Sequence, residues 1–125
     1  MEKLGALVLT YNEAENISEC LASLDWVDEL VVVDSYSDDK TVELAKEYTN
    51  QVYQREFDDF ASQRNFGLEE LTTEWVLVVD ADERVTTELK REIEEVLETP
   101  QAEGYRIPRK NYFLGRWIKY CGWYP

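Results

Sequence analysis

The stretch Trp75-Val76-Leu77-Val78-Val79-Asp80-Ala81-Asp82-Glu83 decides the fold of this chain. A short, Val-rich apolar run without alternation fits a strand buried on both faces of a parallel sheet better than a helix. It stops abruptly in carboxylates. Residues two apart on an extended chain point the same way and sit about 7 Å apart. Asp80 and Asp82 can therefore address one ligand from the strand's carboxyl end, which is where open α/β sheets bind their ligands. Two carboxylates aimed at one point repel unless a cation joins them, and hard cations such as Mg2+ or Mn2+ prefer oxygen ligands. An Asp-x-Asp in this place suggests a metal that bridges the protein to a diphosphate. The competing reading is a solvated acidic loop that caps the next helix.

Outward from that stretch, strands and helices alternate. Leu4 to Leu9 reads as the first strand, and Glu13 to Leu24 as a helix with Ile17, Cys20, Leu21 and Leu24 on one face. Leu30 to Val33 reads as a second strand, followed by a helix reaching about Tyr48 that Ser37, Asp38 or Asp39 can cap. Gln51 to Arg55 is a weak third strand, Asp58 to Leu71 a third helix and Thr86 to Leu97 a fourth, with Leu89, Ile93, Val96 and Leu97 in register. Pro100 stops that helix, and Gly104 to Pro108 reads as a further strand. This order predicts a mostly parallel sheet with helices on both faces. The last twenty residues mix Pro108, Gly115, Gly122 and Pro125 with aromatics in no clear period, and the end reads as cut rather than finished.

Composition narrows the function. At 125 residues the chain is one domain's worth. A formal charge of −14 argues against nonspecific nucleic-acid binding, which needs basic surface. The acids all precede Gly104, whereas Tyr105 to Pro125 carries Arg106, Arg109, Lys110, Arg116 and Lys119 among seven aromatics. That mixture suits a membrane interface, a sugar or anionic acceptor, or a protein partner, and equally well core pieces of a longer fold. With no His, every His-dependent triad or metal site is excluded. Cys20 and Cys121 form no metal or redox motif, and Cys20 falls at core spacing. No apolar run approaches transmembrane length, and a cytoplasmic protein is expected.

Three loops follow strand tips. Thr10-Tyr11-Asn12-Glu13 has no glycine, so a nucleotide there is held by side chains: Thr10 and Glu13 through hydrogen bonds, Tyr11 through stacking. An ordinary loop capped by Asn12 is the alternative. In Asp34-Ser35-Tyr36-Ser37, the caps downstream leave Asp34 spare to accept an imide N–H, which uracil offers. The third loop is the acidic one. On a helical wheel Arg64 falls between Phe60, Leu68 and Leu71, inside the apolar stripe, where an unpaired charge is costly. Its partner is then a strand-tip carboxylate or a bound phosphate, unless it snorkels or pairs internally.

Taken together, Leu9-Thr10-Tyr11-Asn12-Glu13, Val33-Asp34-Ser35, Gln63-Arg64-Asn65 and Asp80-Ala81-Asp82 resemble the family 2 glycosyltransferases of GT-A fold. Asp59-Phe60-Ala61-Ser62-Gln63-Arg64-Asn65 and the run from Ile107 to Gly115 look like the lipopolysaccharide core β-1,4-glucosyltransferase branch. The resemblance implies a Rossmann-like nucleotide-diphospho-sugar transferase fold, truncated at its C-terminus. It implies a donor-binding domain over 1–104 and the start of an acceptor-side region over 105–125. Thr10, Tyr11 and Glu13 would line the nucleoside pocket and Asp34 would hold uracil. Arg64 would sit near the base or diphosphate, Asp80 and Ala81 at the donor, and Asp82 with Asp80 on Mg2+ or Mn2+. The implied reaction is inverting transfer from a UDP-sugar to a saccharide or glycolipid acceptor in cell-envelope or lipopolysaccharide synthesis, with peripheral membrane contact through the basic aromatic tail. The general base is expected beyond Pro125, because Glu83 follows the metal aspartate directly and faces away or caps a helix. Two other readings remain: a sugar nucleotidyltransferase-like enzyme, against which the loop after the first strand lacks Gly and Arg, and a non-catalytic nucleotide or interaction module.

Overall fold

The structure is a computed structural model and describes residues 3–102, 104–106, 113–118 and 122–123. Its strands are β1 (Leu4–Thr10), β2 (Glu29–Asp34), β3 (Val52–Gln54), β4 (Trp75–Asp80), β5 (Gly104–Arg106), β6 (Phe113–Ile118) and β7 (Gly122–Trp123). The helices are α1 (Ile17–Ala22), α2 (Thr41–Ala45), α3 (Phe60–Glu70) and α4 (Thr87–Glu98). One sheet runs β3-β2-β1-β4-β6-β5, with β7 paired to β6. The β1–β2, β1–β4 and β2–β3 pairs are parallel, as alternation with helices requires. The β4–β6, β5–β6 and β6–β7 pairs are antiparallel. The sheet is therefore mixed, parallel through its first half only. It also continues across the boundary drawn at residue 104, since β5 and β6 extend it.

Both faces of the sheet are covered. Ala6, Val8, Val32, Leu77 and Val79 pack with Ile17, Leu21 and Leu24 from the α1 side and Leu89, Ile93 and Leu97 from α4. On the other face Leu7, Val31, Val33 and Val76 meet Leu68 and Leu71 around α3. This double burial is why β4 reads as continuous Val and Leu rather than as an alternating strand.

Sequence and structure part at definite places. Helix α1 starts at Ile17, because the segment before it is tied into a turn in which Glu13 O accepts from Asn16 N and Ile17 N. The α3 face that packs inward carries Gln63, Gly67 and Leu68, while Phe60 stands 72% exposed. The wheel centred on Arg64 is thus rotated away from the real one. Gln63 can be buried because Arg55 Nη1 donates to its Oε1 at 2.8 Å and its Nε2 donates to Ser35 Oγ at 3.1 Å. Strand β6 has no counterpart in the expected element order. Pro108, the motif from Ile107 to Tyr112 and the side chains of Arg109, Lys110, Lys119, Tyr120, Cys121 and Tyr124 lie outside the described residues.

Close packing between α3 and the sheet yields a stability prediction. A methyl group on Gly67 would overlap Leu7 Cδ1 and press on Leu7 Cδ2 and Val33 Cγ2, each at 3.1 Å. Leu7 and Val33 are themselves fully buried, so neither can turn away. Gly67→Ala gains about 1 kcal/mol of helix propensity but costs about 1–3 kcal/mol in overpacking. A net loss of stability in urea titration is the expected result, and a stabilised variant would contradict this packing.

Candidate donor site at the strand tips

The parallel strands end at one level. Thr10 of β1 pairs in register with Asp34 of β2, and Leu9 of β1 with Asp80 of β4. Neighbouring strands lie about 4.8 Å apart, so Asp34 and Asp80 flank β1 at about 10 Å from one another. The chain moves outward from β1 to β2 and β3, then returns to place β4 on β1's other side. That reversal is the topological switch point, where loops diverge and leave a crevice.

An open cleft of about 510 Å³ lies there, lined by Leu9, Thr10, Tyr11, Glu13, Ser35, Phe57, Phe60 and Gln63. Thr10, Tyr11 and Glu13, anticipated as nucleoside contacts, are brought together in it. Tyr11 is 54% exposed, which leaves its ring face open for stacking. Thr10 is 6% exposed, yet its Oγ1 has no hydrogen-bond partner among the described residues. A buried hydroxyl left unpaired is costly, and a ligand hydrogen bond would remove that cost. Glu13 Oε1 accepts from Asn16 Nδ2 at 3.0 Å. Phe57 and Phe60 form an edge-to-face pair at 5.0 Å on the rim. Sequence reasoning passed over Phe57, which lies in a loop without period, and assigned Phe60 to the core. Two aromatics three positions apart among acidic residues at the start of α3 were the available signal.

Asp34 behaves differently from the expectation that it is spare. It is fully buried, its Oδ2 accepts from Ser37 N at 2.8 Å, and its Oδ1 accepts from Ser37 Oγ at 2.5 Å. The turn it closes puts Tyr36 at φ 59°, in the left-handed region that few bulky residues adopt. Ser37 Oγ also accepts from Asn12 N at 2.7 Å, and Asn12, itself at φ 52°, accepts from Asp38 N. The β1 and β2 loops are therefore laced together. Helix α2 is not capped by Ser37 or Asp38: its N-cap is Lys40, and Asp39 holds the turn by accepting from Thr41 N at 3.0 Å. A bond from the Thr41 hydroxyl, helped by that from Thr41 N, keeps the Asp39 carboxyl below its ordinary range.

Arg64 does not line the cleft, and it makes no ion pair among the described residues. Pairing with a strand-tip carboxylate is thus not what the structure shows. Its Nε is buried with no hydrogen-bond partner among the described residues.

Asp80, the last residue of β4, and Asp82 are exposed and Ala81 between them is buried, but Ala81 and Asp82 form a turn, so the extended-strand spacing expected of the two carboxylates does not hold. Glu83 is half-buried and its N–H donates to Asp80 O at 2.9 Å. It does not cap α4, since Thr86 does, accepting from Leu89 N at 3.1 Å. Among the described residues no three acidic, Cys or His side chains converge on one point. Two exposed carboxylates fit Mg2+ or Mn2+ of the kind that keeps water and takes its remaining oxygens from a diphosphate.

Beneath the acidic loop lies Cys20, fully buried, whose Sγ–H donates to Asp80 O at 3.6 Å. Burial, opposed by the nearby Arg84 charge and reinforced by Asp82, Asp80 and Glu83, pushes its thiol up to about 12. A raised native value stabilises the folded state fully below the ordinary value of 9.0 and loses that contribution as pH climbs toward 12. Native protein at pH 8 is expected to resist alkylation at Cys20, with rapid labelling only after unfolding, as peptide mass spectrometry would read. Labelling of Cys20 in the folded state would show that the loop opens.

Comparisons with known proteins identify the family. The chain is 34% identical over 118 residues to a TPR repeat-containing protein of Synechococcus elongatus, covering 93% of this chain and 29% of that one. It is 31% identical to the lipopolysaccharide core biosynthesis glycosyltransferase LpsC of Rhizobium meliloti, covering 90% of this chain and 44% of LpsC. The chain thus spans less than half the length of these curated relatives. Among solved structures, S. aureus TarS 1-349 in complex with UDP-GlcNAc matches at 30% identity and TM-score 0.70, over 82% of this chain and 33% of that one. The mannosyltransferase PcManGT of Pyrobaculum calidifontis, solved with GDP-Man and Mn2+, matches at TM-score 0.78 over 99% of this chain and 48% of its own. At 21% identity that likeness gives the fold alone. The family described as Glycosyl transferase family 2 matches residues 6–121, and the chain belongs to it.

Proposed function

We propose that this chain forms the donor-nucleotide half of an inverting glycosyltransferase that takes a UDP-sugar. The observation that carries the reading is the cleft at the switch point, where the unpaired Thr10 hydroxyl, the open Tyr11 ring and Glu13 converge. Uracil stacks on Tyr11, with Thr10 and Glu13 bonding the nucleoside. Asp34 accepts the uracil imide through lone pairs that Ser37 does not use, once the turn at Tyr36 yields. Arg64, which does not line the cleft, would have to turn to bring its unpaired Nε to the base or diphosphate, and Asp80 and Ala81 would border the donor. TarS, a relative by structure at 30% identity, was solved with UDP-GlcNAc, which supports a UDP-sugar over other donors.

Asp82, with Asp80, would hold Mg2+ or Mn2+, whose chemistry is to stabilise the negative charge of a nucleoside diphosphate leaving group. In the transfer itself, an acceptor hydroxyl oxygen forms a bond to the sugar's anomeric carbon while the bond to the diphosphate oxygen breaks. The hydroxyl proton passes to a carboxylate base, and UDP departs. The segment 105–125 begins the acceptor side, and a saccharide or glycolipid of the cell envelope is the acceptor class. The resemblance to LpsC supports lipopolysaccharide core synthesis among such pathways. No helix among the described residues is long and apolar enough to cross a membrane. We place the reaction at the cytoplasmic side, with the basic aromatic tail touching the membrane surface.

Nucleotide selectivity tests the reading. Uracil has an imide N–H and cytosine does not, so UDP should stabilise the chain more than CDP when Mn2+ is present. Saturation at one hundred times Kd adds about 2.7 kcal/mol to the unfolding free energy, readable as a thermal shift. Equal shifts with both nucleotides would remove Asp34 from base recognition. No shift with either would refute the donor site.

A further inference from the structure

Four hydrogen bonds tie the acidic loop after β4 to α1 and its last turn. Cys20 Sγ donates to Asp80 O at 3.6 Å, and Val85 N donates to Ser23 Oγ at 3.0 Å. Between these anchors Arg84 Nε donates to Glu19 Oε2 at 2.9 Å and Nη2 to Asn16 Oδ1 at 3.2 Å, while Nη1 donates to the adjacent Glu83 O at 3.5 Å. Asn16 uses its other end on the cleft, since its Nδ2 donates to Glu13 Oε1 at 3.0 Å. An unbroken chain of side-chain hydrogen bonds therefore runs Arg84–Asn16–Glu13, from two residues past Asp82 to the wall of the nucleoside cleft. A planar fork is suited to this, because it fixes two acceptors at a set angle where an ammonium would fix neither. Arg84 also places a positive charge beside Asp80, Asp82 and Glu83, whose repulsion would otherwise splay the loop.

We propose that Arg84 is a positioning residue: through Asn16 it fixes the Asp80–Asp82 loop relative to the Glu13 wall, so that metal and nucleotide bind cooperatively. The proposal rests on the donor-site reading above. Because Arg84 and Asn16 tie the loop to the Glu13 wall, the ordering that one ligand imposes on its half of the site is passed to the other half, and each ligand then binds more tightly in the other's presence. Arg84 touches neither ligand; it acts through the loop it restrains.

The readout is a linkage factor, the Kd of UDP without metal divided by its Kd with saturating Mn2+. Arg84→Ala is expected to lower that factor about fivefold or more and to leave the metal-free Kd within about twofold of the original protein. Asn16→Ala, which breaks the same chain at its other link, should reproduce the drop. Glu19→Ala, which removes only the exposed arm of the fork, should keep the factor within about twofold. A purely structural role predicts instead that all three variants lose melting temperature while the factor stays put, and that result overturns the proposal. If the original protein shows no Mn2+ effect on UDP at all, the donor-site reading itself falls, and the proposal falls with it. A normal factor in the original protein that survives in Arg84→Ala overturns the proposal alone.

Discussion

Replacing Asp82 by Ala should abolish the metal-dependent part of UDP binding while leaving the fold intact. Asp82 is exposed in the turn after β4, and loss of an exposed side chain there shifts stability by no more than about 0.5 kcal/mol. Stability has reason to rise slightly, since Asp80 and Glu83 lose a repelling neighbour. The ligand effect is far larger. A hard cation that Asp80 and Asp82 would hold on the proposed reading would lose half of its protein ligands. UDP affinity in Mn2+ should fall to its value in chelator, read by titration on a variant whose melting temperature matches the original. Affinity that still responds to Mn2+ would take Asp82 out of the metal site.

Asp34→Ala should have the second large effect, and on two quantities at once. Its carboxylate is buried, and Ser37 N–H and Oγ–H both point at it. Removing it leaves the Ser37 N–H unpaired inside the loop, at about 1–3 kcal/mol. Because Ser37 also anchors Asn12, the β1 loop should loosen with it, and UDP affinity should drop. Ser37→Ala separates the two roles. It removes the hydroxyl yet keeps the carboxylate, so loss of affinity confined to Asp34→Ala marks a direct contact with the base. Equal loss in both variants makes Asp34 the keystone of the loop and not a ligand to uracil.

What could be read in advance depended on how local the determining interactions are. Strand β4 was legible to the residue, since burial on both faces leaves only apolar side chains until the chain emerges at Asp80. Helix α4 was legible because Leu89, Ile93 and Leu97 repeat on one face and Thr86 supplies its cap. Helix α3 was misaligned because its inward face is partly polar. Gln63 is held inside by Arg55 and Ser35, residues eight and twenty-eight positions away, and no periodicity encodes that. Strand β6 escaped because its Gly115 and its aromatics fit a loop as readily as a strand, and its partner β4 lies far back in sequence. For the site, Thr10, Tyr11 and Glu13 were found by their place after β1, and the cleft unites them. The bonds that bury Asp34 and the loop contacts of Arg84 are tertiary, so sequence named the first without its partner and passed over the second.

The most direct test of the central claim is calorimetric titration of UDP into this chain with Mn2+, then with chelator. The account predicts saturable binding at one site with Mn2+ and clearly weaker binding once the metal is removed. Heat that is absent, or identical in both titrations, would contradict a metal-assisted donor site at the tips of β1, β2 and β4.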